Sequence, residues 1–209
     1  MKRVNGMFLA LGASLCLAST SALAEGNRYD QPRLYHSEVS ASEAFLLTKN
    51  GNANGKASKR AVLLDVRSIP EYASGHPEGA LHVPYPRIHD TVDPTLSAED
   101  KATLLVDAVT AAVPDKDTPI LVMCKTGSRS IAASNLLAQA GYTHVRNIWE
   151  GFEGRTKTDT AGNELDLNNN GVVGDAGDLD GWKNAAGLPY STKLHPKLIY
   201  KPFQYLYYQ

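Results

Sequence analysis

The sequence predicts an α/β domain in which helices cover both faces of a central parallel sheet. Three observations predict it. Two apolar runs of strand length, AVLLDV (61–66) and PILVMC (119–124), lack the alternation of a half-exposed strand and read as strands buried on both faces. The stretches at 97–112 and 128–140 carry apolar residues at helical spacing. Helix and strand patterns alternate along the chain, as parallel strands joined by helical crossovers require.

The elements follow in order. Residues 1–24 read as a secretory signal peptide: Lys2 and Arg3 form a charged start, Met7 to Leu17 an apolar run, and Ala22-Leu23-Ala24 a small-x-small cleavage site. Leu15 precedes Cys16, where a lipid attachment site would want a small residue. Residues 25–37 are polar and read as a mobile leader. The main domain is expected over 38–190. Ser40 and Glu43 fit a capping box opening a helix through Leu47, and NGNANGKASK (50–59) is a surface loop. After the strand at 61–66 come a short helix (69–74) ending at Gly75 and a brief strand at His82–Tyr85. Ser97 caps the next helix, with Leu105, Ala108, Val109 and Ala112 on its apolar stripe and Pro114 at its end. The addition at 86–117 follows a strand and is expected to shape a pocket mouth. The strand 119–124 leads to a helix from Ser128 to Ala140, closed by Gly141, and HVRNIW (144–149) is the next strand. Residues 191–209 form an aromatic tail expected to pack on the domain.

Bulk properties limit the function. Removing residues 1–24 takes away Cys16 and leaves Cys124 as the single cysteine, so no disulfide framework forms within the mature chain. It also leaves 19 basic against 22 acidic side chains, which is no signature of nucleic-acid or anionic-membrane binding. No other apolar run is long enough to span a bilayer. An exported product is expected, periplasmic if the source is a diderm bacterium.

Chemistry concentrates at Cys124. It ends a buried strand, at the carboxyl edge where open parallel sheets bind ligands. The free N–H groups and positive dipole end of the following helix face it, Lys125 and Arg129 add charge, and all of these favour the thiolate. Gly127 lets the loop Lys125, Thr126, Gly127, Ser128, Arg129, Ser130 turn its N–H groups inward as a nest for an anion.

Three segments around this cysteine resemble the rhodanese family of sulfurtransferases. They are LLDVRSIPEYASGHPEGALHVPY (63–85), ILVMCKTGSRSIAASNLLAQAGYTHVRNIWEGFEG (120–154) and GWKNAAGLP (181–189). The resemblance implies a rhodanese-like three-layer fold. It implies that Cys124 takes sulfur from a donor such as thiosulfate as a persulfide and passes it to cyanide, a thiol or a protein acceptor. The loop from Lys125 to Ser130 would hold the persulfide, with Arg129 and Lys125 attracting the anionic donor. Asp65 and Arg67 resemble the family's strand-end pair and are read as supporting scaffold, while His76 and His82 are read as packing residues. A persulfide carrier or anion-binding module is the alternative. A cysteine phosphatase is disfavoured, because four residues separate Cys124 from Arg129 where phosphatases place five; no CxxC motif supports a thiol–disulfide oxidoreductase.

The chain departs from the family between residues 155 and 180. There Asp166, Asn168 and Asn170 stand at positions 1, 3 and 5 of an EF-hand-like loop, Gly171 at the turn and the Val172 carbonyl at position 7. Gly177 occupies the place of the usual closing Glu, so Asp175 or Asp178 would have to close a calcium site. Catalysis itself would need no cofactor.

Overall fold

A computed structural model describes residues 28, 30–50, 60–87 and 95–208. The expected signal peptide, Cys16 and nearly all of the loop at 50–59 lie outside the described residues. The central sheet has five parallel strands in the order β1 (Ser37–Val39), β6 (Val145–Ile148), β5 (Ile120–Met123), β2 (Val62–Asp65), β4 (Leu81–His82). The β2 and β5 strands, predicted from unbroken apolar runs, lie at the centre. Alternate residues of these two strands feed two different cores, which explains the missing polar alternation.

One core joins Leu64, Val66, Ile120 and Val122 to α3 (Ala98–Ala112) and α4 (Ser128–Gln139) through Leu105, Val109, Ile131 and Leu137. The other joins Leu63, Leu121, Met123 and Ile148 to α1 (Ala41–Asn50), α2 (Ile69–Ala73), the wide helical turn Gly181–Ala185 and the tail. The molecule is therefore three-layered, with helices on both faces as the sequence predicts.

The predicted caps are present. Ser40 Oγ accepts the Glu43 N–H at 3.1 Å, and Ser97 forms a reciprocal box with Asp100. The segment after Pro86 carries α3, which buries Leu105, Ala108 and Val109. Ala112 is exposed and falls outside this buried stripe, and residues 88–94 of the segment lie outside the described residues. Gly141 sits just past α4 at φ +93°, the left-handed position that favours glycine.

Three features escaped prediction. Strand β1 pairs with β6. His76–Pro77 (β3) pairs antiparallel with Tyr190–Ser191 (β7), binding the first signature to the last. The brief strand expected at His82–Tyr85 is paired at Leu81–His82 instead, alongside Leu64–Asp65. The tail packs as expected: Leu206 and Tyr207 are buried, while Tyr205 and Tyr208 face outward. Tyr207 donates to His82 Nδ1, whose ring gives its Nε2 proton to the Arg67 carbonyl at 2.8 Å. Tyr72 is sandwiched between His76 and His82 with ring centroids 3.8 and 4.0 Å away. Both histidines are buried packing groups, in line with the sequence reading. Among the described residues no helix is long and apolar enough to cross a membrane.

Candidate active site around Cys124

The β5 strand delivers Cys124 to the carboxyl edge of the sheet, and the residue is fully buried. The chain then turns at Gly127, whose φ of +90° places it in the left-handed region. A Cβ there would lie 1.9 Å from the Trp149 carbonyl oxygen, so glycine is required for space as well as conformation. The turn brings the Gly127 N–H to 3.1 Å from the Cys124 Sγ. Ser130, one turn into α4, has its hydroxyl 3.4 Å from the same sulfur and 3.1 Å from the Gly127 carbonyl, two acceptors for one proton. The Gly127 N–H and the Ser130 hydroxyl thus both lie against Sγ at the amino end of a twelve-residue helix.

The outward carbonyls of this loop are pinned from outside. Phe152 N–H holds the Cys124 carbonyl at 2.8 Å, and Glu153 and Gly154 N–H hold that of Lys125 at 3.0 and 3.1 Å. Arg28 Nη1 reaches the Thr126 and Trp149 carbonyls at 3.3 and 3.1 Å, its Nη2 meets Asp180 at 2.8 Å, and its guanidinium lies over the Trp149 ring. The leader, read as mobile, therefore has at Arg28 a buried residue that clasps the loop. Burial is stable there because each bond carries a formal charge partner or a carbonyl dipole. With the carbonyls of Cys124, Lys125 and Thr126 held in this way, the loop presents the Gly127 N–H to the sulfur.

The predicted supporting pair is a closed unit. Arg67 and Asp65 are both fully buried and meet at 2.7 Å, and Arg67 also donates to the Glu71 and Gly75 carbonyls at 3.0 and 2.6 Å. Its guanidinium lies 4.0 Å from the centre of the Phe152 ring, the residue whose N–H holds the Cys124 carbonyl. The pair thus reaches the loop through Phe152, a scaffold role.

The two cations expected to attract an anion are otherwise engaged. Arg129 is buried and makes a bidentate pair with Glu71, both contacts 2.8 Å. Burial alone would push the Glu71 carboxyl up, but the hydrogen bonds and charge of Arg129 outweigh it and hold it at about 2. Glu71 is therefore an anion at neutral pH and compensates Arg129. Lys125 Nζ lies 3.3 Å from Glu153 in a half-exposed pair. Arg155, which sequence reading did not single out, donates to the Ser128 hydroxyl at 2.9 Å.

The insertion brings part of its expected calcium set together. Asn168 and Asn170 both donate to Asp175, while Asp166 accepts the Asn170 and Gly171 N–H groups at 3.2 and 2.7 Å. Asp178 is buried, and its two oxygens accept the Leu167 and Gly174 N–H groups at 2.6 and 2.9 Å. Val172 is exposed and its N–H serves Asn170 Oδ1. A Cβ on Gly177 would lie 2.2 Å from the Asn168 side-chain amide. Among the described residues no group of three or more His, Cys, Asp or Glu side chains is placed to hold a metal ion.

Comparison with known proteins then decides the family. The profile described as "Rhodanese-like domain" matches residues 49–157, a little over half of the chain. The chain belongs to the rhodanese-like domain family. Among similar proteins, thiosulfate sulfurtransferase GlpE of Pseudomonas fluorescens (strain SBW25) is 32% identical over 102 residues, 49% of this chain and 76% of its own length. Thiosulfate sulfurtransferase 16, chloroplastic, of Arabidopsis thaliana is 34% identical over 45% of this chain and 72% of its own. Thiosulfate sulfurtransferase PspE of Escherichia coli (strain K12) is 30% identical over 40% of this chain and 64% of its own. These matches cover half of this chain or less.

Proposed function

We propose that this rhodanese-like protein is a sulfurtransferase in which Cys124 carries the sulfur as a persulfide. One observation supports it most directly: Sγ receives the Gly127 N–H at 3.1 Å and lies within 3.4 Å of the Ser130 hydroxyl at the head of α4. The names of its relatives point to thiosulfate as donor. In the first step the thiolate attacks the outer sulfur of thiosulfate. A new S–S bond forms, the donor's S–S bond breaks, and sulfite leaves with that electron pair. In this reading the charge on the terminal persulfide sulfur is stabilised by the loop N–H groups of 125–130. In the second step cyanide or a thiol attacks that terminal sulfur and returns the Cys124 thiolate, a double displacement.

The test is intact mass after thiosulfate and then cyanide, with Cys124→Ser alongside. The expected result is a gain of one sulfur atom, about 32 Da, in the wild type only, removed by cyanide with formation of thiocyanate. Repeated turnover makes the protein an enzyme; one charge discharged only to a partner makes it a carrier. No gain with thiosulfate would rule out this donor.

The proposal includes export directed by residues 1–24. It also includes calcium binding at Asp166, Asn168, Asn170 and the Val172 carbonyl with Asp175 as closing carboxylate, which is where the amides of 168 and 170 already converge.

A further inference from the structure

An anionic donor needs positive charge at the mouth of the cradle, and the two cations nearest Cys124 in sequence each face a carboxylate. Arg129 is committed in a buried, bidentate pair to Glu71. A donor could use that guanidinium only by displacing an ionised carboxylate from two charge-assisted bonds. Lys125 shares its charge with Glu153 across 3.3 Å. Arg155 differs. Among the described residues its guanidinium meets no carboxylate; the bond it makes is to the neutral Ser128 hydroxyl, at 2.9 Å. Its own main chain is fixed at both polar atoms, the N–H to Asp180 Oδ1 at 2.8 Å and the carbonyl to the Asp180 N–H at 2.9 Å. It is half-exposed, and Ser128 opens α4 directly after Gly127, whose N–H meets Sγ.

We propose that Arg155, at the start of the insertion, is the residue that binds the anionic end of the sulfur donor and sets the preference of this protein for anionic donors. The inference rests on the sulfurtransferase reading for its chemistry, but the contact it assigns is a binding contact. Its logic is one of uncompensated charge. The guanidinium sits at the rim of the cradle on a backbone held in place, with donors left over once Ser128 is served. A sulfonate group, whose oxygens match the planar fork of a guanidinium, would lie against Arg155 while the outer sulfur points down to Sγ. The insertion then has a role in catalysis: it carries a cation to a site whose own loop arginine is neutralised.

Calorimetric binding of thiosulfate to Cys124→Ser protein, which cannot take up the sulfur, tests the contact. Adding Arg155→Gln is expected to weaken binding about tenfold, the loss of one charge-assisted contact. Arg155→Lys should recover part of it, and Lys157→Gln, which removes the same charge from an exposed position two residues on, should leave it unchanged. In the Cys124 protein the matching result is a higher KM for thiosulfate at unchanged kcat, with a smaller rise for the singly charged methanethiosulfonate. Equal binding by Arg155→Gln, or equal weakening by Lys157→Gln, overturns the assignment. If the Arg155-dependent binding is present but the wild type forms no persulfide, the assignment stands and the sulfurtransferase reading falls.

Discussion

The loop from Cys124 to Ser130 and the insertion from Arg155 to Asp180 are both rich in polar residues and glycine, yet they direct their hydrogen bonds in opposite ways. In the first, side chains and backbone from elsewhere hold the carbonyls of Cys124, Lys125 and Thr126, while Ser130 serves that of Gly127. Arg28, Phe152, Glu153 and Gly154 do the holding, and the Gly127 N–H and Ser130 hydroxyl lie against one sulfur. In the second, side chains turn back on their own backbone. Asp166, Asn170 and Asp178 accept N–H groups from within the loop, and Val172 and Val173 stay exposed. A loop becomes a reactive site when its donors are left unsatisfied by itself and anchored by its surroundings. A loop that satisfies itself is a stable surface feature unless something replaces those internal bonds.

The comparison is broken most severely at Gly127. Gly127→Ala places a Cβ against the Trp149 carbonyl in a backbone region alanine avoids, and the turn must open. Displacing the inward donors by about 1 Å is expected to cut sulfur transfer about 100-fold. Stability should fall by about 2–4 kcal/mol in denaturant unfolding. Gly171→Ala in the insertion, also at positive φ but with nothing close to its Cβ, should leave transfer rates near wild type. Equal effects of the two would end the distinction.

A middle-sized effect lies beneath the cradle, where Arg67 ties it to the tail. Burial pushes His82 down from its ordinary 6.5 to about 4, with Asp65 opposing. The folded state therefore favours neutral His82. That stability is fully present above pH 6.5 and is lost as pH falls through 4, on the order of 2–3 kcal/mol between pH 7 and pH 4. Glu71, held at about 2, contributes stability that is lost only below its ordinary 4.5. Unfolding measured against pH should therefore weaken first between 6.5 and 4.5, and His82→Gln should remove the largest part of that loss, leaving the part due to His76 and His36, which burial also pushes down. A curve flat from 7 to 4.5 in the wild type would contradict a neutral, buried His82.

The smallest effect sharpens the view of the insertion. If calcium replaces the internal bonds of Asp166 and Asn170, stability should rise by RT ln 2, about 0.4 kcal/mol, at calcium equal to Kd, and further above it. Asp166→Ala should abolish the response. Absence of any calcium-dependent thermal shift in the wild type would leave the loop as the self-satisfied turn its hydrogen bonds describe.

What the sequence by itself determined was local. Unbroken apolar runs required doubly covered strands, Ser97 and Gly141 marked helix ends, and a cysteine between a strand and Gly127 foretold a sulfur facing a helix N-terminus. Each rests on backbone geometry and periodicity that neighbouring residues decide among themselves. The tertiary structure alone decided which charges are free. Glu71 lies 58 positions from Arg129, Asp180 lies 152 from Arg28, and Arg155 lies 27 from Ser128. No spacing rule reports such pairs, because strand order and crossovers set the distances. The net field at a site depends on which partners arrive there, so a sequence can nominate a nucleophile while the fold chooses the cation that serves it.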